Sequence, residues 1–409
     1  MMDKIVVNTA IVGSGASGLA AAITAAERIG GKNVILIEKQ AKAGRKLLAT
    51  GNGRCNISNK NINKSHYFGD EKLISSVLRD FGYNELIRFF RELGLLIRED
   101  SDGRLYPYSN QASSVLNAFL RKLTELKIET VCNFKAVSYV KNGKGYVIRS
   151  EDGREVISRV VIVAVGTPAG KHNYRIPEIL VSSGETVKPF SPALAPLYVY
   201  PDVRQMKGTR VRAKATLLCG GQTLADETGE VQIGDGYLSG ICIMNLSRVI
   251  GNEREYTVVL DLIPDLPEVE LDDYLTLMSS NSILLSELLS GILPKRIGEE
   301  LMRTCCSDVF KRKASSITDV EIERVKKTLH TWTFAVKSIG PANQAQISVG
   351  GVTELDYREL ESKHCRNVFY CGEVVNVDGK CGGYNLHWAW RSGITVGEAA
   401  AKRLRDNNE

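Results

Sequence analysis

The hydrophobic pattern opens on Ile5–Val12, an apolar run with the length of a buried strand. A cluster of glycines then leads into Leu19–Arg28, whose small and apolar residues suit a helix. A second apolar run, 33–37, predicts another strand ending on Glu38. From Gly44 to Asn59 neither helical nor strand periodicity is visible, which predicts a long loop, and a loop of that length inside a compact domain is usually functional. A further strand is expected to close on Val163-Ala164-Val165-Gly166. Thr209–Leu217 alternates strictly, as a half-buried strand does, and the Gly220-Gly221 turn leads to more short strands through about Asp261. After Pro264 and Pro267 the pattern turns helical over 271–278, 283–289, 297–305 and 320–329. Near the end, Gln344 to Val352 is expected to return to the first domain, and Val368–Cys371 reads as a strand. Gly372-Glu373 is a tight turn, and a helix is expected from Leu386 to the C-terminus.

Composition narrows the class. With 409 residues, 43% hydrophobic and 24% charged, the chain suits two or three ordinary globular domains. The net charge of +6 is mild and its Lys and Arg are interspersed with Asp and Glu, so no nucleic-acid partner is expected. No run of 18 apolar residues occurs, so no membrane span is expected. Thr9–Ala26, although apolar, carries turn glycines and reads as strand and helix rather than as a signal peptide. Nine scattered cysteines form no C-x-x-C pair, which removes the signal for a zinc ribbon or a thioredoxin-type site and suits a reducing cytoplasm. His66, His172, His330 and His364 stand in unrelated contexts, and no metal site is expected.

The candidate chemistry begins at Gly13-Ser14-Gly15-Ala16-Ser17-Gly18, a G-x-G-x-x-G set between a strand and a helix. Gly13 permits the tight turn, Gly15 lets the backbone approach a pyrophosphate, and Gly18 lets helix and strand lie close. Free N–H groups at the helix start then face the phosphates. Glu38, 20 residues after Gly18, suits the two ribose hydroxyls of an adenosine and would repel a 2′-phosphate, so FAD or NAD fits and NADP does not. The loop decides for FAD. Lys39, Arg45, Lys46 and Arg54 offer charge to a pyrophosphate or an anionic substrate group, while Gly51, Asn52, Gly53, Cys55 and Asn56 offer backbone to a flat ligand. With no C-x-x-C partner, Cys55 reads as a small packing residue rather than a redox group. A second glycine-rich turn carries Gly372, Glu373, Asp378, Gly383, Tyr384, Asn385 and Leu386. Its helix start would favour the negative charge that builds on the pyrimidine end of a reduced flavin.

The loop, together with Arg104-Leu105-Tyr106-Pro107, Val163–Gly166, Pro192–Leu197 and the block from Val368, resembles the family of aminoacetone-oxidase-like FAD-binding enzymes and 3-dehydro-bile-acid Δ4,6-reductases. The resemblance spans nearly the whole chain. It implies an α/β fold, with a Rossmann-like FAD-binding domain assembled from N- and C-terminal segments (1–192 and 336–409). An inserted domain, 193–335, would be β-barrel-like over 193–264 and helical over 265–335, and would form the substrate pocket. Ala164 and Gly166 resemble the strand end that passes beside the cofactor in such domains. Asn376 and His387 depart from the family's usual aspartate and glutamine, which puts transfer of any relative's substrate in doubt. Tyr384, His387 and Arg54 are the candidate catalytic groups, with Tyr106 lining the pocket. No second strand–GxGxxG–helix unit is present, so NADH or NADPH, if used, must bind transiently. Three activities remain open: NAD(P)H-dependent reduction of an activated C=C bond in a small organic, 3-oxo-steroid-like substrate; oxidation of an amine or amino ketone by oxygen; and an RNA-directed or non-redox role. Oligomeric state leaves no signal.

Overall fold

A computed structural model describes residues 4–100, 102–169, 175–251 and 255–406; His172 lies outside them. Two units emerge, one from 1–192 with 347–409 and the other from 193–346.

In the first unit, Ile5–Val12 occupies the middle of a seven-stranded sheet. It pairs in parallel with Val34–Ile37 on one side and with Glu155–Val163 on the other. Val368–Tyr370 joins in parallel beside the end of Glu155–Val163, while Gly145–Ser150 and Ala136–Asn142 continue the sheet antiparallel from its beginning. The register aligns the strand ends: Val12 stands opposite Ile37 and Val163, and Val163 opposite Tyr370. The segments that follow, at Gly13, Glu38, Ala164 and Cys371, therefore leave the sheet along one edge. In open parallel sheets the carboxyl ends of the strands are where ligands bind.

Two helices from opposite ends of the chain close this unit. Ala16–Ile29 is buried over Ser17–Ala26, and Tyr384–Asp406 packs along it. Gly393 and Gly397, one turn apart, allow this approach, since a Cβ on the first would overlap the Ser17 carbonyl and one on the second would stand 2.8 Å from the Ala21 carbonyl. The C-terminal helix starts at Tyr384, two residues earlier than the pattern predicts, and runs for 23 residues because it is enclosed nearly all round, with His387–Trp390 and Ser392–Gly397 buried without a break. The 44–59 loop is also more ordered than its pattern. Arg45–Leu48 forms one helical turn, and Thr50–Gly53 a 3₁₀ turn broken by left-handed Gly51 and Asn52.

The second unit is a closed six-stranded antiparallel barrel. Its order is Leu197–Tyr200, Tyr237–Ser239, Gln222–Ile233, Arg210–Cys219, Tyr256–Asp261 and Trp332–Ile339, which returns to the first. Ala213, Ala215 and Leu217 point inward from alternate positions and join Val231, Val258 and Leu260 in its core. Because Trp332–Ile339 closes the barrel, the unit runs to Gln346, and the expected boundary at 335/336 is corrected to 346/347. Glu268–Ser279, Lys295–Cys305 and Asp319–His330 are helices as the pattern predicts. The expected helix over 283–289 is only a 3₁₀ turn at Leu285–Glu287.

Candidate active site

The glycine turn is built around a positive φ. Gly13 sits at φ +109°, where a side chain would be strained and a Cβ would overlap the Ala164 carbonyl. Its N–H donates to Ile37 O at 2.8 Å, and Ala164 N donates to Val12 O at 2.8 Å, so the turn is pinned between two neighbouring strands. Gly15 differs: a Cβ there would meet nothing within 4 Å, so the turn has open space over the N-terminus of Ala16–Ile29. Glu38 reaches across this turn. Its carboxylate accepts from Ser14 N at 3.2 Å, from Ser14 Oγ and from Gln40 N at 2.8 Å. Ser14 Oγ also accepts from Gly44 N at 3.2 Å, which ties the following loop to the same point. Exposed Lys39 borders an open polar depression of about 410 Å³ with Asn133, Lys135, Glu151 and Asp152.

The C-terminal half meets it from the other side. Ser17 Oγ donates to Cys371 O at 3.4 Å. Gly372 is held by the C-terminal helix, its N–H donating to Ser392 Oγ at 2.9 Å and its carbonyl accepting from Trp388 Nε1 at 3.1 Å. Gly383, at φ +104°, lies so close to Ser58 that a Cβ would overlap the Ser58 carbonyl. The same Cβ would stand 2.8 Å from Asn56 Oδ1, a buried atom with no hydrogen-bond partner among the described residues.

The expected site residues divide into several groups. Lys46 and Glu373 bind each other at 2.7 Å, beside Gly166, and Thr167 Oγ1 donates to Glu373 at 3.5 Å. Arg45, Asn52, Gly53 and Arg54 are exposed. Cys55 is fully buried with φ +58°, and burial pushes its thiol up to about 12, which leaves no thiolate for redox work. Asp378 is buried on Val377–Gly379, paired opposite Phe68. Asn385 faces the backbone of its own turn: Oδ1 accepts from Gly379 N at 2.8 Å, and Nδ2 donates to Gly379 O at 2.8 Å. Leu386 packs on the core.

One catalytic candidate, His387, is corrected. His387 is 0% exposed and closed on both nitrogens. Nε2–H must donate to Phe81 O at 3.1 Å, because a carbonyl only accepts, so Nδ1 accepts from Ser58 Oγ at 2.8 Å. Burial lowers its pKa to about 4, and the ring is neutral. It is a core histidine. Tyr384 is buried as well, its ring 4.5 Å from His66 and edge-on to Tyr67, with its carbonyl accepting from Tyr67 Oη at 3.1 Å. Arg54 keeps its candidacy, with its guanidinium 4.7 Å over the ring of Tyr106. Ser58, Asn59 and Tyr67 were not singled out by the pattern. They lie on strands of two or three residues, too short for any periodicity to show.

The open Gly15 turn, the unpartnered Asn56 Oδ1 and the Glu38 carboxylate fit a dinucleotide carrying a flavin. Comparison with known proteins agrees. A 3-dehydro-bile acid delta(4,6)-reductase of Clostridium scindens is 34% identical over 96% of this chain and 98% of that one. A ribosomal RNA dihydrouridine synthase of Haemophilus influenzae is 26% identical over 93% and 95%. Among solved structures, the E. coli quinol fumarate reductase FrdA shares the fold with a TM-score of 0.52, at 16% identity over 100% of this chain and 72% of that one. The chain is an FAD-dependent oxidoreductase. It belongs to the HI0933-like protein Rossmann domain family, which matches residues 7–399.

Proposed function

We propose that this enzyme uses NADH or NADPH to reduce a C=C bond conjugated to a carbonyl in a small, 3-oxo-steroid-like substrate. The observation that carries the reading is the 34% identity, over almost the full length of both chains, to a reductase named for that bond type. Glu38 would accept the ribose hydroxyls, the Gly15–Ser17 backbone would face the pyrophosphate, and the turn at Gly383 would lie against the ring system. Bound FAD supplies hydride transfer, which leaves the protein to orient substrate and deliver one proton. The strand–glycine turn–helix at 5–29 has no second copy among the described residues, so the nicotinamide is a transient visitor. The nine free cysteines suit a reducing cytoplasm.

A second reading has one observation in its favour, the 26% identity to a ribosomal RNA dihydrouridine synthase. Dihydrouridine is uridine with two hydrogens added across a ring C=C that is conjugated to a carbonyl, so the bond chemistry is the same and only the carrier differs. An anaerobic titration separates the readings. One of the two nicotinamides is expected to bleach the yellow flavin band, and a 3-oxo-4,6-diene steroid to restore it under nitrogen. Recovery with unmodified ribosomal RNA alone would favour the second reading. Failure of both nicotinamides to bleach the flavin would end the reductase reading, and bleaching by an amine followed by peroxide on admitting air would replace it with an oxidase.

A further inference from the structure

Reduction of a C=C bond needs a proton as well as a hydride, and the strand Arg104–Pro107, which lies between Ser58–Asn59 and Ile97–Glu99, carries a group able to give one. Alternation turns Leu105 into the apolar core and Arg104 and Tyr106 to the other face. Tyr106 is only 4% exposed yet belongs to neither apolar cluster. Arg54 Nη2 donates to its hydroxyl oxygen at 3.4 Å. A guanidinium has no acceptor, so the tyrosine oxygen must accept here and its own proton points elsewhere, with no acceptor among the described residues. Asn59, from the neighbouring strand, donates to Gly382 O at 3.2 Å and joins this sheet to the glycine turn at the head of the C-terminal helix.

We propose that Tyr106 is the proton donor of the reaction and that Arg54 holds it in place and stabilises the anion it leaves; this rests on the reductase reading above. Hydride adds to the β-carbon of the conjugated system, and the π electrons move toward the carbonyl as an enolate. The Tyr106 O–H bond breaks as a new C–H bond forms at the α-carbon. Solvent then returns a proton to the tyrosinate, so each saturated bond consumes one NAD(P)H and one proton. The charged and titratable groups facing Tyr106 are Arg104, Arg54, Asp100 and Cys381. Burial raises the phenol above its ordinary value and keeps it protonated at neutral pH, while the Arg104 and Arg54 charges oppose that rise. Arg104 is engaged by Asp100 at 2.8 Å and Asp102 at 2.6 Å, whereas Arg54 has no carboxylate within ion-pair distance among the described residues. Burial pushes Cys381 up to about 11, so it stays neutral and cannot compete for the cation.

The test uses the flavin-loaded enzyme and separates its two half-reactions. Tyr106→Phe should bind the saturated 3-oxo product, read as a change in the flavin spectrum without turnover, and should be reduced by nicotinamide at a rate close to wild type. Its reoxidation by the conjugated ketone should slow about 10²–10⁴-fold, as expected for loss of a general acid. Wild-type reoxidation should fall at alkaline pH, and this limb should vanish in Tyr106→Phe. In Arg54→Gln the limb should move to higher pH, because the cation that favours tyrosinate is gone. Undiminished reoxidation in Tyr106→Phe, or an unmoved limb in Arg54→Gln, would overturn the assignment. If Tyr106→Phe does not hold flavin, the Arg54→Gln limb decides alone. A wild-type enzyme that no conjugated carbonyl reoxidises would instead overturn the reductase reading, and this proposal with it.

Discussion

His387 sits on a pair of hydrogen bonds, to Ser58 Oγ and Phe81 O, and is fully buried. Its folded pKa of about 4 lies below the ordinary 6.5, so the unfolded chain binds the extra proton first. The stability this group contributes is full above pH 6.5 and is lost as the pH falls from there through about 4. The shift corresponds to a loss on the order of 3 kcal/mol. Urea unfolding at neutral and acid pH should show a smaller acid-induced drop for His387→Gln than for wild type; an equal drop would mean that other groups carry the acid sensitivity. At this scale the sequence speaks clearly where backbone chemistry dictates the residue. Gly13 is required by its φ, and Glu38 by its place at a strand end. It is silent where a contact joins distant side chains. Lys46 finds Glu373 327 residues away, and Arg54 finds Tyr106 52 residues away, and neither spacing repeats anything local.

Elements were readable in proportion to their length and burial. Ile5–Val12 and Arg210–Cys219 carry enough residues for a pattern to form. The 283–289 segment is apolar because it packs under the barrel unit's helices, not because it is helical, and composition alone does not separate the two. The contact between Ala16–Ile29 and Tyr384–Asp406 was hidden for another reason, since Gly393 and Gly397 look like weak helix formers until their partner is seen. Gly393→Ala should cost roughly 1–3 kcal/mol by overpacking and should lower flavin content, because it pushes on Ser17 in the helix Ala16–Ile29, which starts at the glycine turn. Lys402→Ala, on the exposed side of the same helix as Gly393, should leave both unchanged. Melting temperature and flavin absorbance of the two variants check this.

On the scale of the whole molecule, the division into a split unit and an insert was legible because two ligand-like turns stand at opposite ends of the sequence. The exact return point was not, because the strand that closes the barrel pairs with one more than 130 residues earlier. The insert leaves and rejoins at a single place: Gln346 N donates to Leu194 O at 3.2 Å, and Val187–Ala193 pairs with Ile347–Val352. Replacing 193–346 by a short turn should therefore leave a chain that still retains FAD, read by its absorbance, but no longer turns over. Loss of flavin from a folded remainder would show that the first unit depends on the second. The packing of the last helix on the first also sets an order of events during synthesis. The glycine turn emerges from the ribosome early but cannot be roofed until Gly393 and Gly397 have been made, by which time the whole barrel has been translated. The helix that follows the glycine turn thus finishes packing only after Gly393 and Gly397 are made, and FAD capture is expected to wait for them.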